Sequence, residues 1–208
     1  MDNEKYQVYE MRMDDASNGA FAISLVEEPA IDEHFIKLAK EKPASKLVNV
    51  KLLNEEQRLL IGVLLRPNMR IFRRGVKGFN NNKPFYMMFK PHIVKRIAWD
   101  YIQNCKINNA TLDHETPVDG ITLVESWINN VDSTDGITNG FDINSKIGDW
   151  VGVIRVNNPK LWDTIKSNDY KGFSIEGLFN ALPIPSNDIV VSELKLQAIK
   201  NIIDNINK

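Results

Sequence analysis

Apolar and polar positions change their spacing several times along the chain, and each change marks an element. The clearest period is helical: Ile93, Val94, Ile97, Ala98, Tyr101 and Ile102 recur every three or four residues, one apolar stripe that predicts a helix lying on a sheet. Pro91 suits its first turn, where the N–H that proline lacks would have had no partner. His92 beside it reads as a surface or capping residue. Elsewhere the spacing is that of strands. Gly19 to Ile31 reads as a buried strand ended by Pro29, which cannot donate to a ladder. Leu47 to Leu53 and Arg58 to Leu65 are β-rich runs around a polar tetrapeptide, a hairpin pattern, after a polar loop from Lys40 to Lys46. Phe85 to Phe89, Ile121 to Ile128 and Trp150 to Val156 add three further strands. Asn158 caps and Pro159 opens a short helix whose Leu161, Trp162 and Ile165 face inward. Helical spacing returns at the end, where Leu194, Ala198, Ile199, Ile202, Ile203 and Ile206 predict an amphipathic terminal helix.

Between Phe85 and the preceding strand lies Arg66 to Lys83, with six basic residues (Arg66, Arg70, Arg73, Arg74, Lys77, Lys83), no acidic one, two glycines and three consecutive asparagines. This composition predicts a mobile cationic loop, either a solvated flap or a docking surface for an acidic partner.

The stretch Tyr170-Lys-Gly-Phe-Ser-Ile-Glu-Gly177 gives its two faces different characters. Side chains alternate along a strand, so Phe173, Ile175 and Phe179 share an apolar face, while Gly172, Ser174, Glu176 and Leu178 share one that should be accessible. A wet-face Ser and Glu are ordinary on a half-buried strand. Upstream, Leu112-Asp-His-Glu115 precedes the Ile121 to Ile128 strand and supplies an imidazole that could meet Ser174.

Composition narrows the setting. The chain has 208 residues, a net charge of -1, 43% hydrophobic and 25% charged residues, which fits an ordinary globular fold and gives no reason to expect a membrane or specific nucleic-acid partner. It opens on charged residues and has no apolar run near the ~18 residues of a membrane span, so neither secretion nor embedding is expected. Cys105 is the single cysteine and has no Cys or His at ligand spacing, which disfavours a structural zinc site. No cofactor or metal is expected, and no phosphate-binding glycine loop appears.

A serine hydroxyl attacks at neutral pH only if a base removes its proton, and imidazole suits that exchange. Of three histidines, His92 begins a helix and His34 lies in an acidic stretch, leaving His114 as the candidate base, though a surface role between Asp113 and Glu115 is the ordinary reading. A third group should orient the ring. Glu176 is two residues from Ser174 on the same face; Glu125 shares a face with Leu123 and Trp127 and should be partly buried. Cys105 and Ser126 are rival nucleophiles, the first without features that would activate it, the second reading as a packed hydroxyl.

Several blocks in one order resemble the XkdF-like prohead serine proteases of tailed phages: Ala22-Ile-Ser-Leu-Val-Glu-Glu-Pro-Ala-Ile31, Pro84-Phe-Tyr-Met-Met-Phe89, Leu112-Asp-His-Glu115, Val124-Glu-Ser-Trp-Ile128, Gly148-Asp-Trp-Val151 and Lys171-Gly-Phe-Ser-Ile-Glu-Gly177. The resemblance implies an α+β fold, a small closed and mostly antiparallel β-barrel wrapped by helices, like herpesvirus assemblin. It implies Ser174 as nucleophile and His114 as base, within a protease domain over 1–183 followed by a tail at 184–208. The implied activity is a serine endopeptidase of capsid maturation that cleaves scaffold and major capsid precursors, and often itself, inside the procapsid in the host cytoplasm. A homo-oligomer is compatible with that role. The competing class is an inactive capsid- or scaffold-associated protein that keeps the fold.

One departure stands out. In the commoner prohead proteases an acid precedes a Ser-Leu-Val strand downstream of the nucleophile; here the similar block is N-terminal and Ala22 stands at the acid's position. This arrangement suggests a circular permutation, with the same strand filling the same slot from the other end of the chain. Glu176 or Glu125 would then supply the carboxylate, or a Ser and His dyad would act alone. The strand should pair with the sheet that contains the Ser174 strand.

Overall fold

The computed structural model describes residues 6–27, 36–38, 57–74, 76–131, 137–138, 141–143, 145–167 and 170–185. The expected strand at 47–53, the loop at 40–46, His34 and the terminal helix lie outside them. In chain order the elements are β1 (Val8–Arg12), β2 (Gly19–Val26), β3 (Ile36–Leu38), β4 (Leu59–Leu65), β5 (Ile71–Arg73) and β6 (Phe85–Phe89). Then come α1 (Pro91–Gln103), β7 (Ala110–Leu112), β8 (Thr116–Val118), β9 (Ile121–Ile128), β10 (Ile137–Thr138) and β11 (Phe141–Asp142). The last are β12 (Trp150–Val156), α2 (Pro159–Ser167), β13 (Gly172–Leu178) and β14 (Asn180–Pro183). Among the described residues the protein is α+β, mostly strands with two α-helices.

Contacts divide the chain into two units. The smaller comprises Met1–Met11, Arg70–Met88 and Ala181–Lys208 and centres on a sheet of order β14-β1-β6-β5. Aromatic rings hold it together: Tyr6, Phe72 and Tyr86 meet with centroids 5.5 to 6.2 Å apart, and Tyr9 packs edge-on against Phe79 and Phe85. The expected cationic loop is more ordered than its composition suggests, since it contains β5 and a single 3-10 turn at Asn80–Asn82. All three asparagines there have positive φ, a region Asn enters at lower cost than other residues with a Cβ.

The larger unit, Arg12–Met69 with Phe89–Asn180, holds two four-stranded sheets, of order β3-β4-β12-β9 and β13-β2-β7-β8. In the first, β4 and β12 are buried on both faces and read accordingly as nearly unbroken apolar runs. One face joins Ile61, Val63, Val151, Val153 and Ile143, with Trp127 against them. The ends of β4 and β12 are clamped by Arg66 and Asp149: the guanidinium donates from Nε and Nη2 to both carboxylate oxygens, the shortest contact being 2.7 Å, and Asp149 is fully buried. Arg66 is therefore a packed structural cation of this sheet. Helix α1 runs as the stripe predicts, with Ile93, Val94, Ile97, Ala98 and Tyr101 buried, although Ile102 turns outward. The Asn158 carboxamide oxygen accepts from the N–H of Lys160 at 3.0 Å and caps α2.

The second sheet carries the N-terminal strand. β2 pairs antiparallel with β13 and parallel with β7, so a segment from near residue 20 joins one from near residue 175. Ile23 and Leu25 are buried on one face, as alternation requires, but Ala22 and Ser24 on the other are buried as well. A bulge at Phe21 follows the Ala22 rung. Beyond it Gly177 passes so close to Gly19 that a Cβ would sit 2.6 Å from the Gly19 carbonyl oxygen, which explains why this position carries no side chain.

The expected closed barrel is not formed by the described strands. Both sheets are open, and β13 meets β4 by packing rather than by a backbone ladder. Closure needs hydrogen bonds around the whole circumference, and here the ladders stop at β13 and β8 in one sheet and at β3 and β9 in the other.

Candidate active site

Three hydroxyl residues occupy one rung of the second sheet. Ser174 on β13 is the ladder partner of Ser24 on β2, which is in turn the partner of Thr111 on β7. Side chains at paired positions share a face, so the rung points the same way, and Glu176, two residues along β13, joins it. Beyond β7 the chain turns through Asp113, His114 and Glu115 into β8, with Asp113 and His114 both at positive φ. Backbone bonds pin this turn: the N–H of Asp113 donates to Leu25 at 2.9 Å and that of Glu115 to Leu112 at 3.0 Å. The turn is held down by the rung itself, because the N–H of His114 donates to Ser24 Oγ at 2.9 Å.

His114 and Glu176 are thereby brought together. The ring Nδ1 lies 3.4 Å from Glu176 Oε1, an ion pair whenever the imidazole is protonated; the imidazole is 40% exposed and the carboxylate 17%. The same Oε1 accepts a hydrogen bond from Thr111 Oγ1. On the buried side, loss of hydration raises the Tyr101 phenol above its ordinary range; the Ile23 backbone opposes this and the Glu176 charge adds to it. The phenol stays neutral and donates to the Asn109 carbonyl at 2.8 Å.

Ser174 is less accessible than a face carrying Gly172 and Leu178 suggests. It is 6% exposed, because both faces of β13 are covered over its first half and open only from Glu176 onward. Its hydroxyl bonds to none of the described residues, so the Ser174 to His114 hydrogen bond is not formed. Glu125 stands apart. It lies on β9, in the other sheet, and is exposed rather than partly buried. A bulge also breaks the expected alternation: Val153 faces Glu125 and Ile154 faces Leu123, so Val124 is an extra residue and Leu123 is turned to the face opposite Glu125 and Trp127. Of the rival nucleophiles, Ser126 Oγ accepts the Trp150 indole N–H at 2.8 Å, a packed hydroxyl as expected, and Cys105 is free and exposed. A cavity of about 460 Å³ is lined by Ala98, Trp99, Ile102 and residues 126–128 of β9, and none of Ser174, His114 and Glu176 lines it.

Ser24 and Thr111 were not singled out by sequence reasoning. The available signal was faint: Ser24 is the lone hydroxyl between apolar residues in β2, and Thr111 immediately precedes the Leu112-Asp-His-Glu block.

Fold and site together define an α+β protein that gathers a serine hydroxyl, an imidazole and a carboxylate around one sheet. The sequence model of the family described as putative phage serine protease XkdF matches residues 47–182, and the chain belongs to that family. The matched span contains His114, Ser174 and Glu176 but not β2, the strand that links them. No curated protein and no solved structure is matched.

Proposed function

We propose that this protein is a serine endopeptidase of phage capsid maturation, acting on scaffold and major capsid precursors inside the assembling procapsid. The observation that carries the reading is the contact of His114 Nδ1 with Glu176, on the strand that bears Ser174. With Nδ1 facing the carboxylate, Nε2 is the nitrogen left to exchange a proton with the nucleophile. In the reaction Ser174 Oγ bonds to the scissile carbonyl carbon as its proton passes to Nε2. That proton then goes to the leaving amine as the C–N bond breaks, and a water, deprotonated by the same nitrogen, hydrolyses the acyl-enzyme. Glu176 holds the ring and offsets its charge while it is protonated. Such hydrogen bonds commonly tighten only with substrate in place, which fits an unformed Ser174 to His114 bond.

The ladder also supports the permuted arrangement. Ala22, at the place where the resemblance puts an acid, is the ladder partner of Glu176. The carboxylate is supplied from the adjoining strand at the same rung, and a methyl side chain at position 22 leaves it room.

Burial of Ser174 favours a second reading, a structural protein that keeps the fold without turnover. Co-expression with the scaffold and capsid proteins of the same phage, followed by mass measurement, separates the two. Shortened products that depend on Ser174 support the protease; intact precursors overturn it.

A further inference from the structure

Glu176 Oε1 is shared between Thr111 Oγ1 and His114 Nδ1. We propose that Thr111 is a positioning residue of the site, fixing the Glu176 carboxylate so that the oxygen it holds faces the imidazole; this rests on the protease reading above. The need is physical. Glu176 ends in a side chain with three rotatable bonds, part-exposed where β13 emerges from cover, and left alone it would sample several rotamers in water. His114 sits on a turn with its imidazole 40% exposed, and the Glu176 carboxylate is the polar partner that sets the ring's direction. Thr111 supplies what both lack. It is β-branched and so stiff at χ1, and it lies within β7, paired to β2 on one side and β8 on the other. Its hydroxyl oxygen is thereby held in place, and the carboxylate oxygen that accepts its hydrogen is anchored to it. The same rung carries Ser24, which ties down the His114 backbone. Two hydroxyls thus fix the two ends of the pair, one through the main chain and one through the carboxylate.

The test uses the full chain and a fluorophosphonate probe, which labels an activated serine without a cognate substrate and is read by mass at Ser174. Thr111→Val keeps the shape and removes the donor. It should slow labelling about 10- to 100-fold, the loss typical of one hydrogen bond to a charged group. Thr111→Ser keeps the donor and should recover most of the rate. In a Glu176→Gln background Thr111→Val should add little, because it acts through that carboxylate. Wild-type protein that fails to label at Ser174 overturns the protease reading and this inference together. Labelling of Thr111→Val at the wild-type rate overturns the inference alone. So does a loss that Thr111→Ser does not recover, or one that adds in full to Glu176→Gln.

Discussion

The main-chain N–H of His114 donates to the side-chain oxygen of Ser24 at 2.9 Å, so a residue with left-handed backbone is fastened to the rung that also holds Ser174. A histidine with a Cβ at positive φ costs free energy that its surroundings must offset. Ser24 does this from a fully buried position, where its hydroxyl oxygen has no water to turn to.

Ser24→Ala removes that acceptor and leaves the His114 N–H without its protein partner. The expected outcome is a stability loss of about 1 to 3 kcal/mol, with a fall in cleavage larger than the unfolded fraction accounts for. A urea titration and a rate measured well below the midpoint check both.

Ser174→Ala should abolish processing and leave the melting temperature close to wild type, since the hydroxyl donates to none of the described residues. Cys105→Ala, on an exposed thiol, should be silent in both assays. Retained cleavage by Ser174→Ala would sink the nucleophile assignment.

The two glutamates should separate cleanly. Glu176→Gln takes the charge from beside the imidazole and should lower the rate on the order of 10³- to 10⁴-fold. Glu125→Gln, exposed on the other sheet, should change it less than about twofold. Equal and small effects would indicate a Ser and His dyad.

If Glu176 does the work of an acid at position 22, the carboxylate should be movable across the ladder. Glu176→Ala combined with Ala22→Glu is expected to regain part of the activity that Glu176→Ala alone loses, measured as labelling at Ser174. No recovery in a folded double variant would argue that the rung, and not only the charge, sets the geometry.

Asp149→Ala removes the carboxylate that accepts from Nε and Nη2 of the buried Arg66 guanidinium and should cost about 3 to 5 kcal/mol. Arg66→Met with Asp149→Leu should recover much of it, because a buried ion pair often stabilises no more than apolar groups of similar size. Denaturant midpoints of the three variants test this, and an unchanged Asp149→Ala midpoint would refute the clamp.

Local chemistry made much of this fold legible. Pro91 and the stripe from Ile93 to Tyr101 located α1, Asn158 and Pro159 located the start of α2, and the Ser174 strand and the place of β2 in its sheet followed from their residue blocks. What stayed hidden depends on register and distance. Alternation places Glu125 with Leu123, and a single extra residue at Val124 reverses that relation without leaving a mark in the sequence. Arg66 reads as one cation among six because its partner is 83 residues away. Thr111 looks like any strand threonine until the ladder sets it across from Ser24 and beside Glu176.

The position of β2 between β13 and β7 has a kinetic consequence. Contacts between chain segments so far apart are slow to form, because a long loop must close before any of them contributes. During synthesis β2 leaves the ribosome early and β7 can join it, yet the row of hydroxyls stays incomplete until β13 has emerged. The order of translation therefore acts as a timer: Ser174 reaches its neighbours only when nearly the whole described chain has been made, and a nascent or prematurely ended chain carries the histidine turn and Ser24 without Ser174.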